Sequence, residues 1–298
     1  MPDRKPCVGF IGLGLMGSAM VERMQDLKYP MNVLANRSRP HVDAAIARGA
    51  QEFFNGRELA AASELIMLCM DNSKSVESRM LGPEGVISGL KGNELVIDFG
   101  TSLPGSTLEI AALVKQAGAS YIDAPLGRMP KHARIGKLNI MAGGSEADFN
   151  KAKLVFEDLG ENIFHIGPVG TGHTLKLINN FYAMTCVTAM SEAFAMADKA
   201  GLSRQVLYDV MSAGSLRSEI MDLVKAHAVD REASIAFSIE NGRKDISYYV
   251  EMAHSLGQDS AIAQGTKSSL DSAIAAGRGN DLMAEMVDFF ARDTKVLS

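Results

Sequence analysis

The chain has 298 residues, and 30 Lys and Arg against 35 Asp and Glu leave a formal charge of −5 with neutral His. That mild acidity argues against a dedicated nucleic-acid binder, which carries a basic face. Apolar residues at 47% and charged residues at 22% exclude a disordered chain, and the length allows about two domains of roughly 100–200 residues each.

The N-terminus, Met1 to Pro6, runs straight into an apolar segment, so no signal peptide is expected there. No apolar stretch reaches the ~18 residues of a membrane span. Residues 7–13, 31–35, 65–70, 95–99, 119–124 and 138–142 are apolar runs of strand length, and 18–27 and 41–48 carry helical spacing. Strands that alternate with helices imply right-handed crossovers and a parallel sheet. The runs are near-continuous rather than alternating, which fits strands covered on both faces.

Beyond a turn cluster at 167–172, no Pro or Gly interrupts residues 173–200. As one helix this stretch would span ~42 Å at about 1.5 Å per residue. Residues 204–213, 245–255, 266–276 and 283–290 also have helical character, with Gly201, Gly214, Gly257 and Gly277 as stops. The expected architecture is an α/β parallel-sheet domain over 1–165 and an all-α domain over 166–298, joined by the long helix. Cys7, Cys69 and Cys186 are odd in number and far apart, and the six His are scattered. A disulfide framework or metal cluster is not expected, and a reducing cytosol fits.

Gly12-Leu13-Gly14-Leu15-Met16-Gly17 matches G-x-G-x-x-G directly after the first strand and opens a helical segment. In that context the motif is a Rossmann-type dinucleotide cradle: Gly12 permits the tight turn, Gly14 admits a pyrophosphate to the backbone, and Gly17 allows close helix–strand packing. Free N–H groups and the positive end of the helix dipole face the phosphates. At the end of the second strand, where the adenosine ribose is read, stand Asn36, Arg37 and Ser38 and no carboxylate. Arg37 and Ser38 suit a 2′-phosphate, so NADP(H) is favoured over NAD(H).

In the long helix Lys176 and Asn180 share a face, with Asn179 on the adjacent stripe. A Lys and two Asn on an otherwise apolar helix are costly to bury without a purpose, and such a Lys can donate a proton. An ordinary solvated face at the start of the helix accounts for the spacing equally well. For Lys244-Asp245, spacing suggests that Asp245 caps the helix that follows, leaving Lys244 either toward a cleft or in solvent.

Together these segments are similar to the β-hydroxyacid dehydrogenases, the family of 3-hydroxyisobutyrate dehydrogenase, over essentially the whole chain. The resemblance is carried by Gly9 to Met20, by Asp123-Ala124-Pro125 with Gly136-Lys137-Leu138 and Met141 to Gly144, by Gly170-Thr171-Gly172 through Lys176 to Asn180, and by Lys244-Asp245. It implies a two-domain reductase with Lys176 as proton donor, Asn180 holding Lys176 or substrate, and Met70, Thr101 and Lys244 lining the cofactor site. In the family's Asp-x-Pro-Val-Ser-Gly-Gly segment, this chain has Gly127 for the Ser and Arg128 for the next Gly. That variant resembles the sulfolactaldehyde reductases within the family, where Arg128 and Asn179 would grip a sulfonate.

The resulting expectation is an NADPH-dependent reductase of a short anionic aldehyde, 3-sulfolactaldehyde first. Succinic semialdehyde, glyoxylate, tartronate semialdehyde and 3-hydroxyisobutyrate are the alternatives. Imine reductases share the architecture but usually replace the Lys, and a non-catalytic dinucleotide-binding module is the alternative from another class. The resemblance also implies a homodimer or homotetramer.

Overall fold

The computed structural model describes residues 4–34, 39–232 and 236–291, and it divides into two compact units that meet in sequence at Lys176 and Leu177. In the first unit the elements are β1 (Val8–Ile11), α1 (Leu15–Asp26), β2 (Met31–Leu34), α2 (Arg39–Ala47), β3 (Gln51–Phe53), α3 (Gly56–Ala61), β4 (Leu65–Leu68) and α4 (Ser73–Met80). They continue with β5 (Leu95–Asp98), α5 (Pro104–Gln116), β6 (Ser120–Asp123), β7 (Leu126–Gly127), α6 (Pro130–Ala133), β8 (Leu138–Gly143), α7 (Glu146–Leu159) and β9 (Gly160–Gly167).

Among the described residues the sheet runs β3-β2-β1-β4-β5-β6-β8-β7, with β9 also paired to β8. The six strands from β3 to β6 are parallel, in the doubly wound dinucleotide-fold order. The parallel sheet expected from the sequence is present, and at its far edge β8 lies antiparallel to β6 and β7. The reason is local: β7 extends the line of β6 past Pro125, and the short α6 turn sends the chain straight back.

Alternation along each strand feeds two buried layers. Val8, Phe10, Val33, Met67, Ile97 and Ile122 pack with α1, α2 and α7, whereas Ile11, Leu34, Ile66, Leu68, Val96 and Tyr121 pack with α3, α4 and α5. Both faces being covered explains the near-continuous apolar strands.

Beyond β9, α8 (Thr171–Lys199) contains the division between the units. The second unit adds α9 (Arg204–Ser212), α10 (Glu219–Ala228), α11 (Ile239–Ser255), α12 (Ala261–Ala275) and α13 (Met286–Ala291). Its core gathers Phe194, Val224, Ile246, Leu270 and Met286 from five of these helices. α11 starts earlier than the spacing suggested. Ser238 Oγ accepts from Asn241 N and caps it, so Asp245 lies inside the helix and does not cap it. Gly201, Gly257 and Gly277 do close helices, each at a left-handed φ of 72–80°.

Candidate active site

Register places the candidate residues of the first unit at one edge. Ile11 pairs with Leu68, Leu68 with Asp98 and Asp98 with Asp123. The segments that leave these four strands, carrying Gly12, Met70, Thr101 and Gly127, therefore emerge side by side at the carboxyl ends, where open α/β sheets bind ligands.

The glycine loop divides its labour as the motif requires. Gly12 has φ +99°, and a Cβ there would meet Cys69 O at 2.3 Å and Met70 Sδ at 2.9 Å, so Met70 sits against the loop. A Cβ on Gly17 would meet Gly12 O at 2.0 Å, whereas one on Gly14 would meet nothing within 4 Å. Gly14 starts α1 with no side-chain cap, and no acidic residue lies in the first turn. Leu13 is buried, Met16 half-buried, and Leu15 exposed. Open space above Gly14 and a helix start free of carboxylates fit the pyrophosphate of a dinucleotide. Asn36, Arg37 and Ser38 lie outside the described residues.

Thr101 is half-buried after β5, and beside it the buried Ser102 Oγ has no hydrogen-bond partner among the described residues. Burial, reinforced by Asp98 and Asp71, pushes the Cys69 thiol up to about 12, which disfavours its thiolate.

Asp123, to which the sequence reading assigns no role of its own, organises the start of α8. Its Oδ1 accepts from Gly170 N at 2.6 Å and its Oδ2 from His173 N at 2.7 Å. Burial raises the carboxyl above its usual range, while His173 and the two amides favour the charged form. The helix that carries Lys176 thus begins on the same strand end, and Lys176 itself is half-buried one turn further on. The Asp-Ala-Pro motif was the available signal; its helix-anchoring role is invisible without the pairing of β6 to α8.

In the second unit Asn180 is buried, and Nδ2 donates to Asp245 Oδ2 at 2.6 Å. Asn180 Oδ1 accepts from the exposed Asn179 at 3.2 Å. Lys244 Nζ lies 3.0 Å from Asp245 Oδ1 and 5.5 Å from the centre of the Tyr248 ring. Asp245 therefore links Asn180 to Lys244 as a buried carboxylate. The capping assignment missed this, because a cap and a helix-interior acid look alike until the helix start is known.

Gly127 pairs with Asn139 in the β7–β8 ladder. Arg128 follows at φ +76°, a left-handed conformation rare for a residue with a Cβ. Its Nη1 donates to Lys137 O at 2.8 Å and to Glu161 Oε2 at 2.5 Å, and Lys137 Nζ is 3.4 Å from Glu161 Oε1. The Arg128 hydrogen bond, helped by Lys137, holds the Glu161 carboxyl below its usual range. A guanidinium at this position accepts a carboxylate as partner.

Residues 7–167 match the family model for the NAD-binding domain of 6-phosphogluconate dehydrogenase, and residues 170–290 that for NAD binding by NADP-dependent 3-hydroxyisobutyrate dehydrogenase. A 2-(hydroxymethyl)glutarate dehydrogenase of Eubacterium barkeri is 33% identical over 246 residues, covering 82% of this chain and 81% of that one. The chain belongs to the 3-hydroxyisobutyrate dehydrogenase-like family of β-hydroxyacid dehydrogenases. A second relative, the 2-hydroxy-3-oxopropionate reductase of Escherichia coli, is 30% identical over 84% of this chain and 85% of its own. Among solved structures, a 3-hydroxyisobutyrate dehydrogenase of Salmonella typhimurium superposes with a TM-score of 0.83 at 26% identity, over 95% of this chain and 99% of that one. This β-hydroxyacid dehydrogenase is accordingly an NAD(P)-dependent oxidoreductase that acts on CH–OH groups and the corresponding semialdehydes. Among the described residues no helix is long and apolar enough to cross a membrane.

Proposed function

We propose that the protein is an NADPH-dependent reductase of a short semialdehyde acid, with Lys176 as the proton donor and 3-sulfolactaldehyde as the leading substrate. The observation that carries this reading is the tether of the first turn of α8 to Asp123. It starts the helix that carries Lys176 on the carboxyl end of β6, on the sheet edge where β1, β4 and β5 lead into Gly12–Gly17, Met70 and Thr101. A half-buried ammonium on a helix fixed at its origin loses little freedom when it meets a carbonyl oxygen.

The bound dinucleotide would supply the hydride to the carbonyl carbon. Lys176 Nζ gives its proton to the carbonyl oxygen, so that an aldehyde, a hydride and a proton become a primary alcohol; in reverse the neutral amine takes the proton back. Asn180, tied to Asp245, braces the next turn of the same helix, and Lys244 lines the cofactor side. Gly14 and the α1 amides hold the pyrophosphate. Asn36, Arg37 and Ser38, with no neighbouring carboxylate, favour a 2′-phosphate and hence NADPH. Arg128 offers its charged fork to the acidic end of the substrate, and Gly127 and Asn179 are the further residues assigned to substrate binding.

A second reading of the substrate has its own support. Arg128 already binds the carboxylate of Glu161, and a relative at 30% identity reduces 2-hydroxy-3-oxopropionate by name. Tartronate semialdehyde and other carboxylate semialdehydes therefore follow closely. The exposed Leu202, Val206 and Val210, on α9 and just ahead of it, favour a homo-oligomer, and three unpaired cysteines suit the cytosol.

NADPH and NADH oxidation by wild type and Lys176→Ala, across sulfolactaldehyde, tartronate semialdehyde, succinic semialdehyde, glyoxylate and an uncharged aldehyde, tests the reading. The expected result is preference for NADPH and for an anionic aldehyde, with activity lost in the variant. Unchanged activity in Lys176→Ala removes Lys176 from the chemistry. Cofactor binding without turnover of any aldehyde, or of the matching alcohols, favours a non-catalytic module.

A further inference from the structure

Three residues before Lys176, a histidine is sealed from solvent in the first turn of α8. His173 and Asp123 are 0% exposed, and Asp98 and Thr107 are 1% exposed. Nδ1 of His173 lies 2.7 Å from Thr107 Oγ1 on α5. The single hydroxyl proton of Thr107 points to Leu103 O at 3.1 Å, so toward the ring Thr107 accepts and His173 Nδ1–H donates. Nε2 has no hydrogen-bond partner among the described residues and faces Asp98 Oδ2 at 3.9 Å. Asp98 in turn accepts from Gly100 N at 2.8 Å and from Tyr121 Oη at 3.2 Å.

The backbone around the ring is pinned as tightly. Asp123 holds the amides of Gly170 and His173. A Cβ on Gly172 would meet Met141 O at 2.4 Å and Asp123 O at 2.6 Å, so the turn lies directly on β6 and β8. Backbone bonds to Asp123 alone leave the helix free to pivot about that strand end. A side-chain bond to α5 fixes a second point.

We propose that His173 is a positioning residue for the reaction: its Nδ1–H bond to Thr107 clamps the first turn of α8 to α5 and sets the origin from which Lys176 projects. This rests on Lys176 being the proton donor. A buried polar ring is costly unless hydrogen bonds offset its desolvation, which leaves His173 dependent on the bond to Thr107, and a donor displaced by about 1 Å can lose on the order of a hundredfold in rate.

Two measurements on the full chain test this. Long-range nitrogen–proton NMR of the histidine rings, assigned with His173→Gln, is expected to show a proton on Nδ1 of His173; a bare Nδ1 overturns the clamp. In kinetics, His173→Gln and the isosteric Thr107→Val are each expected to lower kcat about tenfold or more while KM for the aldehyde and the NADPH dissociation constant stay within about twofold. His173→Asn, whose Nδ2 reaches the place of Nδ1, is expected to recover most of that loss. Thr107→Val keeps the ring in place should His173→Gln fail to fold. Wild-type kcat in Thr107→Val, or no recovery with Asn, overturns the proposal. If Lys176→Ala abolishes activity while Thr107→Val keeps it, the clamp fails and the role of Lys176 stands. Full activity in Lys176→Ala overturns that role, and with it the functional meaning of the clamp.

Discussion

Arg128 keeps a bulky side chain at φ +76°, where glycine would sit without strain. A left-handed conformation costs a residue with a Cβ roughly 1–2 kcal/mol, and its ion pair with Glu161, 30% and 41% exposed, returns at most about 1 kcal/mol. The hydrogen bond from Nη1 to Lys137 O adds about 1 kcal/mol more, so stability alone leaves Arg close to break-even here, and the proposed binding role is what would select it. Arg128→Gly is expected to leave Tm unchanged or slightly raised, yet to raise KM for an anionic aldehyde about tenfold or more. Tenfold is about 1.4 kcal/mol, below the ~2–5 kcal/mol for a charge partner lost from a dry site, because the side chain is part-exposed. A fall in Tm with KM unchanged would make Arg128 a structural tie between β7 and β9. Gly127-Arg128 was readable as a substitution in a known motif. Its partner Glu161 was not, because 33 residues separate the two and only the β8–β9 pairing joins them.

Among the elements, the strand–glycine loop–α1 unit separates cofactor binding from folding. Gly17→Ala drives a methyl into Gly12 O and is expected to cost about 2–3 kcal/mol, several degrees in Tm. Gly14→Ala meets open space, so Tm is expected to hold within about two degrees, while NADPH binding weakens about tenfold or more where the pyrophosphate needs the backbone. Melting curves and cofactor titrations of both variants decide it; equal loss of stability in the two would contradict the division. The loop was legible because its spacing and its strand–helix context reinforce one another. β3, β9 and α10 were not. β3 is only three residues long, β9 mixes polar and apolar residues without a regular period at a half-exposed edge, and α10 owes its burial to Met221 and Val224 packing on distant helices. Lys244-Asp245 marks the same limit. The pair was visible, but its buried link to Asn180 arises only because Ser238 starts α11 seven residues before Asp245.

At the scale of the whole molecule, one buried carboxylate, Glu94, contributes stability whose pH dependence has a definite sign. Glu94 is buried at the amino end of β5, and although burial opposes ionisation, the amides of Lys91, Gly92 and Asn93 hold its carboxyl below the usual range. A lowered folded-state value contributes stability that is present above the ordinary carboxylate range and is lost as pH falls through the folded value. Glu94→Gln is therefore expected to be less stable than wild type at neutral pH, with the difference shrinking as the solution is acidified. Urea titrations across acid pH measure this, and a difference independent of pH would contradict it.

The parallel sheet and helical second unit follow from patterns written along the chain, whereas the proposed chemistry depends on where the ammonium of Lys176 is delivered. Single-turnover reduction of an anionic aldehyde, followed through NADPH fluorescence in wild type and Lys176→Ala loaded to the same cofactor occupancy, probes that step apart from binding. The expected result is a hydride-transfer step slowed about a hundredfold or more in the variant with NADPH affinity retained; a transient of wild-type rate in Lys176→Ala would contradict the mechanism.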